Sequence, residues 1–266
     1  MRIDEVAGFL SAIVAGFVIG LAGGGGSILT VPIFVYLFHI QPVLATTYSL
    51  FVVGATSLVG SIEYAIKKQI DFTVTAAFAI PSFLSVFLAR RFLVPVIPDP
   101  LFQYRSFVLP KNDAILYFFA FVMILAAQAM IRQPNPNQEA QSPERPRLGL
   151  LALDGLGVGL LTGTIGAGGG FLIVPMLALL AGLPMHRAVA TSVLIISVNS
   201  FVGFLGDLHR NDLDWRFLLE FTAFSIGGII LGVYLSRFIP PTQLRRGFGV
   251  FVLGVALYIL FKESSK

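Results

Sequence analysis

Gly23-Gly24-Gly25-Gly26-Ser27-Ile28-Leu29-Thr30-Val31-Pro32 interrupts an apolar segment that runs from about residue 6 to residue 39. Each glycine costs a helix roughly 1 kcal/mol relative to alanine, so four in a row predict a break. In lipid, non-helical backbone is tolerated only where it is buried in protein or lines a cavity. A continuous helix over 6–39 would be about 50 Å long, against a hydrocarbon core of about 30 Å. Split at the glycines, the arms are about 24 and 18 Å, each short for a crossing. These lengths predict a hairpin whose glycine tip lies deep in the protein.

The same arrangement returns 143 positions later as Gly166-Ala167-Gly168-Gly169-Gly170, followed by Phe171-Leu172-Ile173-Val174-Pro175. At that offset Gly16, Gly20, Gly23, Gly25, Gly26, Leu29, Val31, Pro32 and Leu37 all meet identical residues. Ala45, Ser49, Ser57, Val59, Gly60 and Asp71 then meet Ala188, Ser192, Ser200, Val202, Gly203 and Asp214. Shared register over this distance argues for duplication. Beyond it the offset changes, because Val94–Phe107 reads as an insertion in the first half. The chain therefore divides into a first membrane repeat (1–131), a polar linker (132–147) with prolines at 134, 136, 143 and 146, and a second repeat (148–266). The expected fold is an all-α polytopic membrane protein of two homologous halves. Each half holds a glycine-broken helical hairpin and about three full crossings. An odd number of crossings makes the halves inverted repeats, a common transporter design. The alternative is one long unwound span, which gives four crossings per half and parallel repeats. The lysines and arginines are spread too evenly over the two sides to decide.

Composition supports the membrane reading. Of 266 residues, 56% are hydrophobic and 12% charged, about half the charge of an average soluble domain. The net charge of +4 comes from residues flanking apolar spans, which is an interfacial pattern and not a nucleic-acid one. Cysteine is absent, and His39, His186 and His209 are scattered at expected helix ends, so no metal site or cofactor is expected. Met1-Arg2-Ile3-Asp4-Glu5 lacks a basic run before the first apolar stretch, and no cleaved signal peptide is expected. The glycine runs lack the Gly-Lys-Ser/Thr of a phosphate loop, HExxH is missing, and no enzyme is expected.

Chemistry concentrates at the breaks. The second arm of each hairpin starts near Ser27 or Gly170, where the first N–H groups lack intrahelical partners and the helix dipole places roughly half a positive charge. Such an end accepts anions, and glycine exposes the backbone to them. Candidate substrate-binding residues are therefore Gly23, Gly24, Gly25, Gly26, Ser27, Gly166, Gly168, Gly169 and Gly170. On the following helix, Ser49, Thr56 and Gly60 share one face, and Ser192, Asn199 and Gly203 repeat it. Ser49, Thr56, Ser192 and Asn199 join the candidate set, with Ser57 and Ser200 beside the stripe. Gly16 and Gly20, like Gly159 and Gly163, read instead as close helix packing. Among charged residues, Arg90, Arg91 and Glu63 read as interfacial snorkelling, while Asp154 and Glu220 are candidates for coupling.

Paired glycine breaks running into a Val-Pro pair (GGGGSILTVP and GAGGGFLIVP), followed by ATTYS and AVATS, resemble the sulfite exporter TauE/SafE family over about 6–262. The first half departs from the second in reading Thr47-Tyr48-Ser49 where the latter has Ala190-Thr191-Ser192. The resemblance implies a bacterial or archaeal inner-membrane permease that moves small sulfur-containing anions such as sulfite or organosulfonates, usually outward. The expected partners are that anionic substrate and the lipid bilayer, with homo-oligomerisation left open. A passive anion channel, or a structural membrane protein whose glycines only pack helices, are the competing classes.

Overall fold

The computed structural model describes residues 3–22, 27–104, 107–132, 148–166, 168–208 and 213–264. Gly23–Gly26, Ala167 and the polar stretch 133–147 lie outside the described residues, so the expected first tip and linker do too.

The first part of the chain runs through α1 (Ile3–Ala22), a short α2 (Ser27–Pro32), a π-helical turn (Ile33–Leu37), α3 (Pro42–Ile66) and α4 (Phe72–Leu88). Asp71 caps α4, its carboxylate accepting from Val74 N at 3.0 Å. A second π-helical turn, Ala89–Leu93, carries α4 into α5 (Val94–Val96). Strands β1 (Phe102–Tyr104) and β2 (Phe107–Leu109) then pair antiparallel, Phe102 opposite Leu109. They precede α6 (Lys111–Arg132), whose first residue is tied back to this insert: Lys111 Nζ donates to Val94 O at 2.6 Å and to Ile97 O at 3.2 Å. The remainder comprises α7 (Leu148–Ile165), α8 (Gly170–Leu179), α9 (Met185–Asp207), α10 (Trp215–Leu235) and α11 (Pro241–Ser264). Asp214 caps α10 through Phe217 N, as Asp71 caps α4.

Among the described residues, five stretches are long and apolar enough to cross a bilayer: Pro42–Ile66, Phe72–Val96, Lys111–Gln128, His186–Asp207 and Trp215–Leu235. Large apolar side chains such as Leu10, Ile80, Leu153 and Ile230 are more than half exposed, a surface suited to lipid and not to water. The protein is an all-α, multi-pass membrane protein.

Helix pairing is reciprocal across the chain. α1 packs on α10 and α7 on α4, while α3 packs on α9 and α6 on α11. The atoms in contact repeat at the 143-residue offset. A Cβ on Gly16 would lie 1.9 Å from Ser225 O, and one on Gly159 would lie 2.3 Å from Ser82 O. Gly20 meets the backbone of Ile229–Val233, and Gly163 that of Val86. Asp71 N donates to Thr191 Oγ1 at 3.1 Å, and Asp214 N donates to Tyr48 Oη at 2.7 Å. These glycines set helix packing: at Gly16, Gly20 and Gly159 backbone meets backbone, and at Gly163 the Ala89 methyl joins the Val86 backbone.

Directions follow from the same contacts. Thr47 reaches Asp207, Gly54 lies against Phe201 and Ser200, and Gly60 lies against Val193, so α3 and α9 run antiparallel. Within the first part, Gly8 of α1 faces the ring of Phe38, just past the π-helical turn, while Gly20 lies near the far end of α3 through Tyr64. α1 and the α2 segment therefore run in opposite senses, as a hairpin requires. α1 has 20 residues, about 30 Å, which is longer than the arm expected from the sequence.

Candidate functional site

The α3–α9 crossing is the centre around which the candidate site is built. Ser197 Oγ donates to Gly54 O at 3.1 Å, and these two residues are themselves 143 positions apart. Against this crossing lies the turn Gly166–Gly169, which feeds α8. Gly168 and Gly169 have φ of +66° and +74°, a region that glycine enters freely and side chains rarely do. A Cβ on Gly168 would lie 2.7 Å from Val53 Cγ1 and 2.9 Å from Ser200 Oγ, and one on Gly169 would lie 2.1 Å from Thr162 Cγ2. Bare backbone is what fits here. Gly169 O already accepts from Leu172 N and Ile173 N, so the turn's carbonyl serves the helix and the leading N–H groups of α8 face outward from its start.

Around the crossing, buried polar atoms stand without partners. Thr56 Oγ1, Ser57 Oγ, Asn199 Oδ1 and Ser200 Oγ have no hydrogen-bond partner among the described residues, and all four side chains are buried. Thr56 and Asn199 lie 143 positions apart, as do Ser57 and Ser200. An unpaired buried polar group costs about 1–3 kcal/mol, which marks these four atoms as candidate contacts for a polar ligand. Ser200 Oγ is the one set directly against the glycine turn. Asn199 is held in place by its amide, which donates to Ser82 Oγ at 2.7 Å.

The other side chains expected here are placed differently. Ser49 Oγ is hydrogen-bonded to Thr30 Oγ1 of α2, and Ser192 Oγ donates back to Val189 O of its own helix at 2.7 Å. Ser27 opens α2 and Gly170 opens α8. Asp154 is half-buried on α7. Glu220 accepts from Arg216 Nε at 2.9 Å on an exposed face of α10, away from the crossing. Among the described residues, no three His, Cys, Asp or Glu side chains gather where they would hold a metal ion.

Arg90 departs from the interfacial placement expected of it. It is 1% exposed, and its Nη1 donates to Asp207 Oδ2 and to Thr46 Oγ1, both at 3.0 Å. Thr47 Oγ1 donates to the same carboxylate oxygen at 2.7 Å. The cause is local: α4 loosens into the π-helical turn Ala89–Leu93, which packs on α7 and α9 and carries Arg90 inward. Its Nη2 lies within 1.9 Å of where a Cβ of Gly166 would stand, so the guanidinium rests on the start of the glycine turn. Sequence reasoning missed this pair because its members lie 117 positions apart and each sits near the end of its own apolar segment.

Comparison with known proteins finds membrane transporters as relatives. A 26% identical "Probable membrane transporter protein" of Xylella fastidiosa (strain 9a5c) aligns over 93% of this chain and 92% of its own. The "Probable membrane transporter protein MJ0441" of Methanocaldococcus jannaschii is 27% identical over 88% of each chain. The "Probable membrane transporter protein YunE" of Bacillus subtilis is 26% identical over 85% of this chain and 86% of its own. No solved structure matches. The profile of the family described as "Sulfite exporter TauE/SafE" matches residues 8–264, and the chain accordingly belongs to that family of membrane proteins.

Proposed function

We propose that the protein is a secondary transporter that exports a small sulfur-containing anion, such as sulfite or an organosulfonate, bound at the glycine turn beside the α3–α9 crossing. The observation that carries this reading is Ser200 Oγ, buried and without a partner among the described residues, set against Gly168 at the start of α8. Backbone N–H groups at that start donate to the anion's oxygens, with the helix dipole contributing roughly half a positive charge. The hydroxyls of Ser200, Ser57 and Thr56 supply further donors, and the Asn199 amide fixes the geometry through Ser82.

The reciprocal packing of α1 on α10 and α7 on α4, with α3 antiparallel to α9, supports inverted halves. Equivalent helices that run in opposite senses are related by an axis in the membrane plane. Rocking of the halves about their shared crossing then exposes the site to each side in turn.

Uptake of radiolabelled sulfite into proteoliposomes tests this. Saturable, counterflow-stimulated flux in the wild type, reduced at least tenfold in Ser200→Ala with unchanged insertion, is the expected outcome. Non-saturable flux, or full activity in Ser200→Ala, contradicts it.

A further inference from the structure

The two halves match in backbone and differ in charge. Arg90, Asp207, Thr46 and Thr47 form a buried quartet beside Gly166. Their counterparts at the repeat offset are Val233, Tyr64, Val189 and Ala190, none of them charged. There the Tyr64 hydroxyl simply meets Gly20 O at 3.4 Å. The scaffold thus holds together in one half without an ion pair. A buried pair is weak support for stability in any case, since desolvation offsets most of its attraction. The quartet needs another reason to be there.

We infer that the glycine turn is built for a monoanion, and that the Arg90–Asp207 pair sets this limit by holding a guanidinium over Gly166 while cancelling its net charge. This rests on the proposed function and narrows its substrate class. Arg90 and Asp207 together contribute no net charge, and the start of α8 contributes about half a positive charge. A singly charged oxyanion is then nearly balanced by the site and its hydroxyl donors. A dianion leaves more than one negative charge uncompensated in a low-dielectric surrounding, where that is costly. The class selected is a sulfonate or hydrogen sulfite, with sulfate excluded. Asp207 acts here as a positioning residue, because it touches Arg90 and Thr47 and not the turn itself.

The test compares methanesulfonate and sulfate at pH 7.5 by ligand-induced thermal stabilisation of the purified full chain. The wild type is expected to bind methanesulfonate saturably and at least tenfold more tightly than sulfate. Asp207→Asn leaves Arg90 uncancelled, and the methanesulfonate-to-sulfate preference is expected to fall at least tenfold. A purely structural pair would lower the melting temperature without ligand and leave that ratio unchanged, which overturns the inference. Arg90→Gln alone strands a buried carboxylate, so the second variant is R90Q/D207N, neutral and able to hydrogen-bond. It is expected to lose at least tenfold in methanesulfonate affinity, and wild-type affinity in it also overturns the inference. A wild type that responds to neither anion overturns the proposed site, and this inference with it. That result is separable because it appears before any substitution is made.

Discussion

Gly157 and Gly159 offer a controlled test of the packing, since both lie in α7 and two residues separate opposite environments. Nothing lies within 4 Å of a Cβ built on Gly157. Gly157→Ala should therefore only improve helix propensity, by up to about 1 kcal/mol. A Cβ on Gly159 would sit 2.3 Å from Ser82 O and 2.9 Å from Ser82 Cα, well inside van der Waals contact. Because the obstacle is backbone, α7 has to move off α4 by roughly 1 Å, and overpacking of this kind costs about 1–3 kcal/mol. The propensity gain is common to both alanine variants, so they should differ by the overpacking cost, about 1–3 kcal/mol, with Gly159→Ala the less stable. At roughly 2–4 °C per kcal/mol for a chain of this size, their melting temperatures should differ by about 2–12 °C. The displacement also reaches the site, because Ser82 holds the Asn199 amide. Thermal unfolding of the purified variants, followed by size-exclusion fluorescence, measures the difference, and sulfite flux measures its reach. Equal melting temperatures for the two variants would refute the backbone-on-backbone contact. Gly16→Ala, whose Cβ would meet Ser225 O at 1.9 Å, should behave like Gly159→Ala.

Other outcomes follow from single contacts. Asp71→Ala and Asp214→Ala each remove a helix cap and should each cost about 1 kcal/mol in thermal or denaturant unfolding. Tyr36→Phe removes the 3.0 Å hydrogen bond to the buried Glu263 carboxylate and should destabilise by about 1.5 kcal/mol, without changing anion selectivity. Glu220→Gln should leave both melting temperature and flux unchanged, since its pair with Arg216 is on the exposed face of α10. A flux loss there would restore Glu220 as a coupling residue.

Much of the architecture was readable from residue patterns because membrane helices write their periodicity plainly. The apolar lengths marked the spans, and the glycine runs marked the point where α8 begins. Gly16 and Gly159 read as close-packing positions, and each meets the backbone of a neighbouring helix, at Ser225 and Ser82. What the sequence could not carry was which polar side chain finds a partner. Ser49 and Ser192 looked equivalent to Thr56 and Asn199, yet Ser49 meets Thr30 and Ser192 bonds its own helix. That distinction depends on neighbours supplied by other helices. Ser200 sat one position off the expected face, and the helix crossing sets its hydroxyl against Gly168. Arg90 was legible only as the end of a span, because a π-helical turn leaves no clear signature in single-sequence patterning.

The most direct measurement of the central claim is an experimental structure of the protein with a bromine-bearing sulfonate bound, located by anomalous scattering. The sulfonate is expected within about 3 Å of the N–H groups that open α8 and of Ser200 Oγ. A sulfonate found away from Gly166–Gly170, with Ser200 Oγ still unpartnered, would contradict it.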